Sequence, residues 1–343
     1  MPQSRKSALS ALLVLCALHA LACPLRLARA EGIATLLAPS RTNVEKSKAT
    51  PVDPTKPSPA KGKTASRDGA DTDDKKTDGN APDPKPSVDA REQPETLAGG
   101  LDEEVDILIA MMRPFSQSCY DMDMPELFAV LRYDDAMPLV NGVLQGERRD
   151  LLGDVEEIRY QDKKAWGANV ALEKPGLYQF SIDSRPWWDA PSERFLQHYV
   201  KTMLPVHGVE RGWDTPLGQR LEILPLTRPF GLISPALFSG RVLQNGEALT
   251  GVSVRMTRVN TDRVSVRTGW QKELAAVSDN AGQFAFVVNQ PGWWCCLAQT
   301  PGDPLKGPDG APRPLEIGAI LWFYVDAPPE NPARTANRPK NQQ

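Results

Sequence analysis

Four places in the chain carry side chains able to hold a metal ion: the run Cys119-Tyr120-Asp121-Met122-Asp123-Met124, then His198, His207 and Glu222. The run is soft and acidic, and a thiolate beside carboxylates and thioethers suits a thiophilic or borderline ion. Its competing reading is packing, because methionine in a β-sandwich often fills gaps in the core. Of the 3 histidines, His19 falls in an N-terminal leader, which leaves His198 and His207 to ligate or to act as bases. His198 either ligates or bonds a backbone carbonyl at a helix surface; His207, in Pro-Val-His-Gly, reads first as a loop histidine with a structural bond. Glu222 sits between Leu221 and Ile223, so it either faces solvent from a strand or is buried as the partner of Arg220 or Arg228.

Catalytic patterns are missing. The chain has no Gly-x-Ser-x-Gly, no phosphate-binding glycine loop and no His-Glu-x-x-His. A serine nucleophile needs a base beside it, and few histidines could serve. The expectation is a protein that is not an enzyme.

Strands must place these side chains. Val105–Met112, Glu126–Tyr133, Ala165–Leu172 and Gly176–Asp183 are β-branched and aromatic runs between turn signals such as Asn141-Gly142 and Lys174-Pro175-Gly176. Ser192 to Met203 predicts the one helix, with Ser192 at a capping position and Phe195, Tyr199 and Met203 at fourfold spacing. After Pro235 the pattern is wholly β, with Asn245-Gly246 and Asn280-Ala281-Gly282 as tight turns at strand junctions. The expected fold class is mainly β: two β-sandwich domains in series, 101–235 and 236–327, with one short helix in the first. Ile33–Pro39, within 31–44, is a candidate first strand for the domain that resumes at Leu101. Residues 45–99 contain no aromatic residue and no isoleucine. They cannot bury enough apolar surface to offset chain entropy, so they are expected to be disordered, as is the tail 328–343.

Gln197 to Gly251 is dense in proline, glycine and tryptophan and reads as a fixed set of turns between strands. Within it stand His198-Tyr199-Val200-Lys201, Gly212-Trp213-Asp214, Glu222-Ile223-Leu224-Pro225-Leu226-Thr227-Arg228-Pro229-Phe230 and Gly240 to Leu249. In that order the chain resembles the periplasmic K component of nickel/cobalt energy-coupling-factor uptake systems, within a wider family of uncharacterised nickel-uptake-type periplasmic domains. The resemblance covers roughly Leu101 to Val325. It implies an accessory protein that binds nickel or cobalt, or that docks on the membrane subunits of the transporter. The candidate ligands are then His198, His207, Glu222, Cys119, Asp121 and Asp123. Two departures stand against this. The family usually has a histidine near the mature N-terminus and another in a His-Pro-Phe motif, and here the corresponding places are Glu31-Gly32 and Arg113-Pro114-Phe115. A guanidinium stays protonated and cannot ligate. The alternative is a divergent envelope scaffold or adhesion module of the same fold without metal binding. Phe238 to Val325 also looks like a transthyretin-like domain, in which Ser278-Asp279-x-x-Gly282-x-Phe284 forms a hairpin turn. Trp187, Trp188, Trp213, Trp293 and Trp294 could line a carbohydrate- or peptide-binding surface, or pack one part of the fold on another.

The first residues are those of a secretory signal peptide: Arg5 and Lys6, the apolar run Ala8–Ala22, and the small-x-small site Ala28-Arg29-Ala30. The mature chain is expected to begin near Glu31, in the periplasm, with lipidation at Cys23 as the competing reading. No later segment reaches the roughly 18 to 20 apolar residues a spanning helix needs. Beyond the leader the cysteines are Cys119, Cys295 and Cys296. Neighbours in a strand point to opposite faces, so Cys295 and Cys296 are small apolar fillers, or one of them bridges Cys119. With a net charge of -3 and basic residues not clustered outside the low-complexity stretch, nothing suggests nucleic acid as a partner.

Overall fold

A computed structural model describes residues 31–45, 101 and 103–329. The expected signal peptide, all but the first two residues of the tail and all but the first residue of the low-complexity segment lie outside the described residues. The strands are β1 (Ala34–Pro39), β2 (Glu104–Arg113), β3 (Ser118–Tyr120), β4 (Leu127–Tyr133), β5 (Leu139–Val140), β6 (Val143–Leu144), β7 (Glu147–Asp150), β8 (Glu156–Tyr160), β9 (Lys163–Ala171), β10 (Gly176–Asp183) and β11 (Trp187–Asp189). They continue with β12 (Arg194–Val206), β13 (Leu221–Pro225), β14 (Leu232–Ile233), β15 (Ala236–Gln244), β16 (Glu247–Ala248), β17 (Ser253–Arg258), β18 (Leu274–Val277), β19 (Gln283–Val288), β20 (Gly292–Lys306) and β21 (Pro312–Asp326). Among the described residues no helix is long and apolar enough to cross a membrane.

A 10-stranded sheet runs in the order β18-β17-β20-β21-β12-β10-β4-β7, with β11 paired to β12 and β14 to β21 off this path. The stretches expected as two sandwiches share it, because β12 pairs in parallel with β21, from Phe195 opposite Leu315 to Thr202 opposite Trp322. A sheet of β1-β2-β9-β8 covers one face and a sheet of β13, β15, β16 and β19 covers the other. Each covered face has its own core. Leu196, Val200, Cys295, Leu297, Ile320 and Trp322 join the first, whereas Trp294, Cys296, Ala298, Ala319, Leu321 and Phe323 join the second. A strand buried on both faces is apolar without a break, which is why Trp293–Ala298 and Ile317–Val325 show no alternation. Cys295 and Cys296 therefore fill opposite cores, and the three described cysteines are free thiols.

The helix expected over Ser192–Met203 is corrected to strand β12, preceded by a single 3-10 turn at Ala190–Ser192. Fourfold spacing of Phe195, Tyr199 and Met203 fits a helix, but four is also twice the strand period of two. The alternate positions, Leu196, Val200 and Leu204, are buried as well. β1 pairs antiparallel with β2, from Ala34 opposite Met112 to Pro39 opposite Ile107. Asn245-Gly246 and Asn141-Gly142 both have positive φ, as the tight turns of β15-β16 and β5-β6 require. In the turn before β19, the Asp279 carboxylate accepts from the amides of Ala281 and Gln283, and Gly282 has φ +73. A Cβ on Gly282 would meet the Val242 carbonyl at 2.8 Å, so glycine is required there.

Candidate functional site

The middle of β12 carries two polar side chains on opposite faces of the central sheet. His198 points towards the first core and is buried. Its Nδ1 lies 2.8 Å from the Thr35 hydroxyl of β1, and its amide donates to the Ser184 hydroxyl at 2.8 Å. Nε2 has no partner. On the neighbouring strand Gly318 stands opposite His198, and a Cβ there would come within 2.7 Å of the imidazole Cδ2. Burial, with a smaller contribution from the Arg194 charge, lowers the imidazole pKa to about 4. The two sequence readings were a ligand and a helix-surface histidine. The structure shows an interior strand histidine bonded to a threonine hydroxyl.

Three residues on, Lys201 Nζ donates to Glu222 Oε1 at 2.6 Å, and the side chains are 1% and 2% exposed. Glu222 also accepts from the amides of Leu217 at 2.8 Å and Gly218 at 3.1 Å. Removing two charges from water is costly unless they are paired and further bonded, and here the ions are paired and the carboxylate accepts two more hydrogen bonds. Burial, then the Glu222 charge, raises the Tyr133 phenol to about 12. Glu222 is thus a buried ion-pair partner, but of Lys201 rather than Arg220 or Arg228. Those two arginines reach Asp303 and Glu210 instead. Gly212 has φ +101 and lies against the Tyr133 ring, where a Cβ would come within 2.6 Å. Its carbonyl accepts from Gln179 Nε2.

The places where the resembling family has its two other histidines meet in space. Arg113, the last residue of β2, donates from Nη1 to the Glu31 carbonyl and from Nε to the Tyr120 hydroxyl at 2.7 Å. The Glu31 carboxylate in turn accepts from the Phe115 amide, and from the Ser116 amide at 3.1 Å and hydroxyl at 2.7 Å. The Glu31 carboxylate is thus engaged with the turn that follows β2, and Arg113 with Glu31 and Tyr120. A guanidinium fixed beside it disfavours a second cation.

The remaining candidates are scattered. His207 follows the end of β12 in the left-handed region, with φ 57, and its amide donates to the Val44 carbonyl. Nine residues of extended chain, roughly 30 Å, separate it from His198. Cys119 lies opposite Met112 in the β2-β3 pair, with Sγ 3.4 Å from Gln161 Oε1, and burial raises its pKa. Asp121 accepts from the Lys164 amide at 2.8 Å, a bond that lowers its pKa first among several causes, while Asp123 is exposed. Met122 packs in the first core. Among the described residues no three His, Cys, Asp or Glu side chains are grouped to hold a metal ion. Two of the candidate tryptophans are used in packing: Trp187 donates to the Asp121 carbonyl and meets Tyr120 edge-on at 5.4 Å, and Trp294 donates to the Gln290 carbonyl. Sequence reasoning missed Thr35, Ser184 and Trp322, whose Nε1 donates to the Thr35 carbonyl. A polar residue inside the apolar run of β1 was the signal available for Thr35.

The family described as "Domain of unknown function (DUF4198)" matches residues 91–302. The chain belongs to this family. No curated protein matches it. Among solved structures, the D00-D0 domain of Intimin is 13% identical over 66% of this chain and 96% of its own, with a TM-score of 0.17. The tandem V-type regions of VCBP3, a v-region-containing chitin binding protein, are 13% identical over 65% and 93%, with a TM-score of 0.18. The major pilin subunit BcpA of Bacillus cereus is 14% identical over 66% and 65%, with a TM-score of 0.14. No assignment rests on scores this low.

Proposed function

We propose that this DUF4198 chain is an exported, non-catalytic accessory component of a nickel/cobalt uptake transporter that works by docking on the membrane subunits. The reading is supported by the signal-peptide pattern and by the resemblance set out above. The observation that carries it is the Lys201–Glu222 pair with its capped amides, since the motifs shared with the uptake components meet there. Those motifs build the junction of β12 with the loop before β13. They are a folding signature, which a docking module retains whether or not it chelates.

Nickel or cobalt as cargo does not fit the donors present. Glu31 is spent on the turn after β2, Arg113 is a cation, and His198 is enclosed by Gly318 and Thr35. The same clasp favours a second reading, an envelope scaffold of the same fold without metal or transporter. Co-purification separates them: the membrane subunits, expressed with the tagged chain, are expected to be retained with it. Loss of those subunits on washing, as from an untagged control, would leave the scaffold reading.

A further inference from the structure

The loop from Asn260 to Glu273, between β17 and β18, presents surface that the fold itself does not use. Trp270 is 79% exposed and Val264 is 42% exposed. Apolar side chains standing free like this are usually chance, but here the backbone beneath them is fixed. Asn260 is buried and holds Val264 with both amide atoms, accepting from its N–H and donating to its carbonyl. Thr268 and Gln271 form a reciprocal capping box around the single turn that carries Trp270. The charges of the loop are one-sided. Its acids are neutralised, Asp262 by Arg258 at 2.5 Å and Glu273 by Arg255. Arg263, Arg267 and Lys272 have no carboxylate partner among the described residues.

The position of the loop supplies the second observation. Both ends of the loop are tied to neighbouring elements of the first core, one to the turn after β2 and the other to the residue before Ile33. Gln117, one residue beyond the Ser116 that binds Glu31, donates from Nε2 to the Asn260 carbonyl. The Gly32 amide donates to the Glu273 carboxylate at 3.4 Å.

We infer that the Asn260–Glu273 loop is a docking surface for an anionic lipid bilayer, with Trp270 and Val264 entering the headgroup layer and Arg263, Arg267 and Lys272 meeting lipid phosphates. An indole prefers that interface because its body is apolar and its N–H is polar. Basic side chains near an anionic surface add to binding and do so less as salt rises. The inference rests on the exported reading only for which membrane is met. Binding is measured on purified protein, so failure of one does not entail failure of the other.

The test uses the chain from Glu31, which retains every described residue, and vesicles of phosphatidylcholine with or without phosphatidylglycerol. Co-sedimentation is expected with the anionic vesicles and is lost as salt is raised. Replacing Arg263, Arg267 and Lys272 together by Gln is expected to weaken it on the order of 100-fold, about fivefold per charge. Trp270→Ser is expected to weaken it on the order of tenfold, and brominated lipid should quench the wild type more than Trp270→Phe. Because these side chains lie outside both cores, the variants remain folded. Equal binding to both vesicle types, or variants that sediment like wild type, would overturn the proposal. Binding to cell membranes but not to protein-free anionic vesicles would assign the loop to a protein partner, and overturns it as well.

Discussion

Burial holds the His198 imidazole neutral down to a pKa of about 4, whereas in the unfolded chain it takes a proton near 6.5. The folded pKa is the lower one, so the unfolded state binds more protons between those values, and stability falls as pH drops from about 6.5 towards 4. The full loss is on the order of 3 kcal/mol. His198→Asn keeps a polar partner for Thr35 and cannot titrate. Its urea midpoint should decline less between about pH 7 and about pH 5 than that of wild type, and parallel declines would remove the assignment. At the ion pair, Lys201→Met strands a buried carboxylate and should cost about 3 to 5 kcal/mol. Lys201→Met with Glu222→Gln keeps an acceptor for the Leu217 amide and should recover most of that loss; a double variant no more stable than the single would mean that Glu222 is not charged when buried. The resemblance adds a test at Arg113. Arg113→His puts an imidazole beside the Glu31 carboxylate, and calorimetric titration should show tighter nickel binding than wild type, because affinity follows ligand number. No change would place the metal locus of the family elsewhere.

Between elements, the parallel contact of β12 with β21 depends on a glycine. Gly318 faces His198, and an added methyl would approach the imidazole at 2.7 Å and Leu297 at 2.9 Å. Gly318→Ala should therefore cost about 1 to 3 kcal/mol by overpacking. In a His198→Ala background the same change should cost clearly less, since one of the two clashes is gone; chemical denaturation giving additive losses would mean the strands simply move apart. This contact also marks where the sequence stops being readable. The strands β2, β4, β9 and β10 are legible because each is a short β-branched run closed by a turn signal. β12 is not, because a strand buried on both faces loses its alternation and its fourfold spacing then passes for a helix. Lys201 as the partner of Glu222 was equally hidden. Two arginines lie nearer in sequence, and only the pairing of β12 beside the loop before β13 brings the lysine closer.

Across the whole molecule, the shared sheet joins residues more than a hundred positions apart, Thr202 opposite Trp322 among them. No local pattern encodes such a pairing, which is why two sandwiches could be read from the strands while their common layer could not. The same reasoning applies to the first described segment. Residues 31–45 are separated in sequence from the rest by 46–100, yet Ile33, Leu36, Leu37 and Val44 are buried, and Trp322 donates to the Thr35 carbonyl. β1 also adds six register pairs to β2, and Val44 bridges to Val206. Covalent continuity through 46–100 should then be unnecessary once the chain has folded. A site-specific protease sequence placed between residues 46 and 100, and cut after folding, should give two fragments that co-elute in gel filtration and separate only in denaturant. The N-terminal fragment should also rejoin the larger one on dilution, because burial of those aliphatic side chains favours association at about 1.5 to 3 kcal/mol each before the cost of pairing two chains. If the short fragment elutes alone in native buffer, β1 covers the first core without holding it, and the stability of the molecule must come from the central sheet and β2 with β9.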